Sequence, residues 1–412
     1  MLNNLTEAVQ WIEKQIKFKP KTDLDRMRNA YKMLGINLGH IKKIHVAGTN
    51  GKGSVCAYLT HIFMEQGLKV GTYTSPYLVR FNERIRYQFI EIDDHELFEL
   101  IRIIEEFNQT YEKTFGEFLS FFELLTLMSM LYFSNKKVDV IIMEVGLGGL
   151  LDATNVMDYN LSLITSIGFD HMKQLGNTLE SISFNKLGIL KPGNHLITTV
   201  DPSLHAYFKD YVLNVPATAE FYTLDDVEKV SDLPLSFKYI DDLYELPLIG
   251  DYQLLNALLS IKAVHYLYPE ITAKTIQKGL KKTIWLGRLE EVEPHIYIDG
   301  AHNTHAIDAL KITVLNAFKK NKVWILFSAL GDKDIAGMIR RLKSFSDKIV
   351  VTTFPDSRFQ DLSPFLTDQE MYVTDPFYAL HQMKGEMDEN TIIIITGSLH
   401  FIGFIKQNYP KH

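Results

Sequence analysis

The sequence predicts an α/β fold in two domains, each a mostly parallel sheet wrapped by helices. Three observations predict it. Short, nearly all-apolar runs such as "KVDVIIMEVG" and "LSLITSIGFDH" have the pattern of strands buried on both faces, and helical segments flank them. The first such strand runs straight into a glycine-rich loop that opens a helix. A second alternating series begins near residue 290, and 412 residues exceed what one ordinary core holds.

The opening segment is predicted to be helical, because Leu5, Val9, Trp11, Ile12 and Ile16 recur at roughly helical spacing. "KFKPKTDLDR" interrupts it, and a second amphipathic stretch runs from Asp25 to Leu34. "IKKIHVAG" is a strand. "SVCAYLTHIFMEQG" is a helix with Val55, Leu59, Ile62 and Phe63 on one face and Gly67 as its stop. "KVGTYTS" is the next strand. "FFELLTLMSMLYF", from Phe121, carries Glu123 and is too short to span a bilayer, so it is a buried helix. The less regular stretch 200–245 is expected to form hairpins or an inserted antiparallel edge. The second series has strands in "HIYIDG", "KVWILFSAL", "KIVVTTF" and "TIIIITGS". The boundary is placed at "TIWLGRLEE", a hinge-like linker, which gives domains 1–287 and 288–412.

The hydrophobic fraction of 46% and charged fraction of 23% are those of a soluble globular protein. A formal net charge of -7 argues against a nucleic-acid platform but leaves room for a local basic funnel. The single cysteine, Cys56, excludes an internal disulfide and a cysteine-built metal cage, and is read as a small packing residue. No export signal is visible in "MLNNLTEAVQWIEKQ". The expectation is a soluble, cytoplasmic protein with neither membrane nor nucleic-acid partner.

The loop is Gly48-Thr49-Asn50-Gly51-Lys52-Gly53-Ser54. Its glycines let the backbone approach phosphates, the helix N-terminus adds partial positive charge, and Lys52 adds a full one. Its spacing departs from the usual phosphate-loop pattern, since Gly48 lies three residues before Gly51 and Gly53 separates Lys52 from Ser54. In open parallel sheets ligands bind beyond the carboxyl ends of the strands. Ser75, Glu144, Asp170 and His171 all follow such ends. A hydroxyl, a carboxylate and an imidazole beside a phosphate loop form a partly open Mg²⁺ site, with phosphate and water completing the octahedron. Lys186 lies on a downstream helix, where its position alone gives it no function. In "YIDGAHN", Asp299 ends a strand and His302 and Asn303 open a helix, and Asp299 alone reads as a turn or capping carboxylate.

At this point the chain resembles folylpolyglutamate and dihydrofolate synthases, within the Mur-ligase-like group of ATP-dependent amide-forming enzymes. The resemblance covers nearly the whole chain. It is carried by "HVAGTNGKGSV", "TYTSPYLVRFNERI", "MEVGLGGLLDATNV", "GFDHMKQLG", "NKLGILK", "GDYQLLNA", "WLGRLE", "DGAHN" and "ITGSL", in order. It implies an N-terminal P-loop ATPase domain and a smaller Rossmann-like C-terminal domain that closes over the cleft. The unusual loop spacing is then the family's own version. By the resemblance, Thr49, Asn50, Gly51, Lys52, Gly53 and Ser54 hold the ATP phosphates, and Asn256, Arg288 and Asp299 make further ATP contacts. Ser75, Glu144 and His171 match Mg²⁺ ligands. Lys186 matches a carbamylated lysine serving a second Mg²⁺. Ser120, Phe122 and Glu123 match one wall of a pterin pocket, and Leu151, Asp152 and Ala153 the other. His302 matches a position near the reacting centre.

The implied reaction transfers phosphate from ATP to a carboxylate of a reduced folate or dihydropteroate. The α-amine of L-glutamate then attacks the acyl phosphate. A monomer is the family default. The sequence departs from the family pattern at Leu150, Ser120, Asn185 and Leu286, none of which removes a metal or phosphate ligand. A peptidoglycan-precursor ligase would lack "SPYLVRFNERI", and a nucleotide-driven switch would lack the second-domain motifs. The intact Lys52, Ser75, Glu144 and His171 argue against an inactive binding protein.

Overall fold

A computed structural model describes residues 2–17, 19, 22–331, 333–367 and 369–409. It divides into two compact units, Met1–Asp226 with Leu255–Lys282, and Val227–Leu254 with Thr283–His412.

The first unit is built on eight strands: β1 (Lys42–Ala47), β2 (Val70–Tyr73), β3 (Ile85–Tyr87), β4 (Ile90–Glu91), β5 (Val140–Glu144), β6 (Leu161–Ile164), β7 (His195–Thr198) and β8 (Thr218–Phe221). Their order is β4-β3-β2-β5-β1-β6-β7-β8. All neighbours from β2 through β8 run parallel, and only β3 and β4 are antiparallel, at one edge. The register sets Ile44 of β1 opposite Ile142 of β5 and Leu161 of β6. Every residue of β5 and β6 is buried, which is why these strands read as unbroken apolar runs.

The helices that matter for the site are α1 (Leu5–Glu13), α2 (Asp25–Leu34), α3 (Lys52–Glu65), α4 (Asp94–Phe115), α5 (Phe121–Lys136), α6 (Met172–Leu175) and α7 (Leu179–Leu187). In the break between α1 and α2, Phe18, Pro20 and Lys21 lie outside the described residues. The helix expected from Phe121 is α5, buried over most of its length, and Cys56 is buried in α3. Among the described residues no helix is long and apolar enough to cross a membrane.

The stretch 200–245 corrects the expectation in its first half. Residues His205–Asn214 form a helix anchored by the fully buried Phe208, and β8 joins the large sheet as a parallel edge. A polar surface face around one buried aromatic hid the helical period. The second half is antiparallel, as expected: β9 (Glu228–Asp232), β10 (Leu235–Tyr239) and β11 (Asp242–Leu246) form a three-stranded sheet. This segment also moves the division away from 1–287 and 288–412, because Val227–Leu254 groups with the second unit. Asp251, after β11, accepts hydrogen bonds from Lys229 at 3.1 Å and from Asn316 at 2.9 Å.

The second unit's main sheet comprises β12 (Glu290–Glu293), β13 (Ile296–Ile298), β14 (Lys322–Phe327), β15 (Lys348–Val351), β16 (Met371–Tyr372) and β17 (Thr391–Thr396). Their order is β12-β13-β17-β14-β15-β16, parallel except for β12. The "TIWLGRLEE" segment is therefore not linker throughout, since its last residues enter β12.

Candidate active site at the phosphate loop

The loop leaves β1 at Gly48 and enters α3 at Lys52. Two glycines are required by its path. Gly48 has φ +150°, and a Cβ there would sit 1.9 Å from the Thr165 hydroxyl. Gly51 has φ +88°, and its Cβ would sit 2.5 Å from Oδ1 of Asn256. Neighbouring hydroxyl residues after β6 hold the loop in place. The Thr49 N–H donates to the Ser166 carbonyl at 2.7 Å, the Asn50 N–H to the Ser166 hydroxyl at 3.1 Å, and the Thr165 hydroxyl to the Asn50 carbonyl at 2.5 Å. Sequence reasoning missed this pair. The signal was present in "ITSIG", two hydroxyls at a strand end beside the loop. No side chain caps α3, so its first turn keeps the character of an anion-binding helix start.

Lys52 lies over the loop, with Nζ donating to the carbonyls of Gly48 at 3.1 Å and Thr49 at 3.3 Å. The same ammonium is 3.9 Å from Glu144, a nearly buried carboxylate ending β5. The other Glu144 oxygen accepts the Ser75 N–H at 3.0 Å. The strand order β2-β5-β1-β6 thus sets Ser75, Glu144 and the loop side by side. His171 stands beyond β6, on the opposite flank of β1 from Glu144. It has left-handed backbone (φ 49°), a half-exposed ring and Nε2 4.0 Å from Asp170.

Lys186, to which position alone gave no function, is buried at 4% exposure. Its Nζ donates to the Gly48 carbonyl at 2.9 Å, so it shares that acceptor with Lys52. Burial, reinforced by the Lys52 charge, pushes its pKa down to about 7, with Asp170 and Asp152 opposing. A lysine in this state presents a large neutral fraction at neutral pH, the form that acts as a nucleophile.

The residues matched to a pterin pocket come together around the loop that follows β5. Phe122 is half-buried, with its ring against Gly146 and 5.9 Å from the Tyr73 ring. Ser120 and Glu123 form a capping box on α5, the Ser120 hydroxyl donating to Glu123 at 2.7 Å. Glu123 also takes Arg26 of α2 through Nε at 3.0 Å and Nη2 at 2.9 Å, a pairing that sequence reasoning did not foresee. Asp152 accepts the N–H groups of Leu147 at 2.9 Å and Thr154 at 3.0 Å, fixing the turn that carries Leu151 and Ala153. The Leu150 N–H donates to the Asn185 carbonyl at 2.7 Å, tying this turn to the helix of Lys186.

In the second unit Asp299 is buried after β13 and accepts the N–H groups of Leu289 and Ala301, each at 2.9 Å. Burial raises its pKa against the opposing Arg288 charge. Arg288 donates to the Gly287 carbonyl at 3.1 Å, and the His302 Nδ1 lies 2.8 Å from the Gly300 carbonyl. Asn303 caps the helix Thr304–Ala317. Asp299 therefore does carry the turn function that its position predicted.

Comparison with known proteins covers both units. The model of the Mur ligase middle domain matches residues 46–264, and that of the Mur ligase glutamate ligase domain matches 287–399. The dihydrofolate synthase/folylpolyglutamate synthase of Bacillus subtilis (strain 168) is 37% identical over 429 residues, spanning 99% of each chain. Among solved structures, E. coli FolC in complex with DHPP and ADP aligns with a TM-score of 0.88 at 28% identity, covering 98% of this chain and 97% of that one. A bifunctional folylpolyglutamate synthase/dihydrofolate synthase with Mn, AMPPNP and L-glutamate bound aligns at 0.84, with the same identity and coverage. With a phosphate loop of this form and similarity running end to end, the chain belongs to the dihydrofolate synthase/folylpolyglutamate synthase family of Mur ligases.

Proposed function

We propose that the chain is an ATP-dependent, ADP-forming ligase that joins L-glutamate both to reduced folates and to dihydropteroate. The observation that carries it is the convergence of Lys52, Glu144 and the buried Lys186 on one phosphate loop. The double activity is supported by the name of the B. subtilis relative.

In this reading the backbone and side chains of Thr49, Asn50, Gly51, Gly53 and Ser54 cradle the ATP phosphates, and Lys52 neutralises charge on the transferred group. Asn256, Arg288 and Asp299 contact the nucleotide. Ser75, Glu144 and His171 hold a divalent cation. Among the described residues no group of three His, Cys, Asp or Glu side chains forms a closed cage, and a set rich in oxygen donors with positions left for phosphate and water suits Mg²⁺. The ion supplies charge neutralisation between two anions when bound. Lys186, as the neutral amine, adds CO₂: an N–C bond forms, a proton leaves to solvent, and the carbamate oxygens serve a second ion. The depressed pKa supports this use of the side chain.

Phe122 presents its ring to the pteroyl group, while Ser120 and Glu123, bonded to each other, set the first turn of α5. Leu151, Asp152 and Ala153 line the facing turn. The substrate carboxylate takes the γ-phosphoryl group, the glutamate amine displaces phosphate from the acyl phosphate, and His302 lies near the reacting centre. The lone, buried cysteine fits a reducing, cytoplasmic compartment, and a monomer is the form proposed. The test is ADP release with ATP, Mg²⁺ and L-glutamate, comparing dihydropteroate with a reduced monoglutamyl folate. Turnover with both is expected. Turnover with the folate alone removes the dihydrofolate synthase half, and turnover with neither overturns the proposal.

A further inference from the structure

The segment "TSPYLVRFNERI" carries an arginine for which the reading above has no use. Three arginines lie between Ser75 and Tyr87. Arg80 pairs with Glu91 at 2.5 Å and Asp94 at 2.6 Å. Arg86 donates to the Thr74 hydroxyl at 3.0 Å and lies 3.5 Å from Glu83. Arg84 is only 7% exposed, yet among the described residues its guanidinium makes neither a hydrogen bond nor an ion pair, and its Nε is enclosed without an acceptor. Three aromatic rings surround it instead: its guanidinium carbon is 5.0 Å from the Tyr77 ring centre, 5.7 Å from Phe81 and 5.6 Å from Phe121. The carboxylates around it are engaged elsewhere. Glu83 accepts the N–H groups of Leu78, Val79 and Arg80 at 3.0, 2.7 and 2.8 Å. Glu13 takes the Tyr77 hydroxyl at 3.1 Å, and Glu144 takes Ser75.

Ring faces are a weak substitute for an anion, and buried guanidinium groups in folded proteins are paired. The position is also informative. The Arg84 carbonyl accepts the Thr74 N–H at 3.0 Å, one residue before Ser75, and Phe121 is the neighbour of Phe122. The cation thus lies between the end of β2 and the first turn of α5.

We infer that Arg84 is the receptor for a substrate carboxylate, its ion pair being completed only on substrate binding. This rests on the ligase reading above. Both the pteroyl acid and L-glutamate carry the required group. The experiment compares the full-length wild type with Arg84→Met and Arg84→Lys. Calorimetry measures binding of dihydropteroate and of its primary carboxamide, and kinetics give KM for L-glutamate.

The wild type is expected to prefer the carboxylate over the carboxamide on the order of 10- to 100-fold, as for a hydrogen bond to a charged group. Arg84→Met should bind both alike at the wild type's carboxamide affinity, and Arg84→Lys should recover part of the preference. A rise confined to KM for L-glutamate assigns the carboxylate to the amino acid. Because an unpaired buried charge is removed, ligand-free Arg84→Met should melt no lower than the wild type. Persistence of the preference with an unchanged KM for L-glutamate overturns the inference. So does a clear loss of thermal stability, which makes Arg84 a structural cation. Failure of the wild type to release ADP in response to glutamate refutes the ligase reading itself and is seen before any variant is made.

Discussion

Replacing Lys186 with methionine should stabilise the ligand-free protein at neutral pH. In CO₂-free buffer the wild-type side chain is an amine buried at 4% exposure, pushed from 10.5 to about 7 by burial and then by Lys52. The unfolded chain therefore binds this proton more tightly than the folded one. The resulting destabilisation is complete below about pH 7 and fades as pH rises towards 10.5. At 1.36 kcal/mol per pKa unit it amounts to roughly 4 kcal/mol at pH 7 and about 1 kcal/mol at pH 9.5. Methionine forfeits the bond to the Gly48 carbonyl, worth about 1 kcal/mol. The variant should thus gain about 3 kcal/mol at pH 7, and the wild type should recover about 3 kcal/mol by pH 9.5 that the variant does not. Urea unfolding of both proteins at the two pH values measures this directly. Parallel pH dependence, or a variant less stable at pH 7, would refute the argument. The same substitution, like Lys186→Ala, should abolish most ligase activity.

Other perturbations separate loop chemistry from scaffold. Lys52→Met should lower kcat by about 10²- to 10³-fold if the ammonium neutralises the transferred phosphoryl group as proposed. Gly51→Ala forces a Cβ to 2.5 Å from Asn256 at φ +88°, and should weaken ADP binding at least roughly tenfold by calorimetry. Glu123→Gln removes the buried one of the two carboxylates that pair with Arg26, leaving Glu117 at 3.3 Å, and should destabilise by about 2 kcal/mol in urea unfolding.

Much of the first unit's architecture was legible because β5 and β6 are buried on both faces and flanked by helices, which forces long apolar runs into the sequence. The strand-end argument singled out Ser75 and Glu144, which lie side by side in the structure, for the same reason: a parallel sheet puts its polar residues where the strands stop. Lys186 was not legible. Its burial depends on α7 packing against the loop, a tertiary fact that leaves no periodic trace, and only the family resemblance singled it out. The helix His205–Asn214 was missed because one buried Phe208 does not make a helical stripe. Arg84 went unnoticed because the absence of a partner is a property of the fold, and no sequence pattern records it.

Oxygen transfer during turnover offers the most direct check of the ligase reading. Dihydropteroate labelled with ¹⁸O in its carboxylate would be incubated with the protein, ATP, Mg²⁺ and L-glutamate, and the released phosphate examined by mass spectrometry. Phosphorylation of the carboxylate followed by displacement by the amine predicts one ¹⁸O atom in the phosphate for each amide formed. Amide formation with unlabelled phosphate, or ADP release without amide, would contradict it.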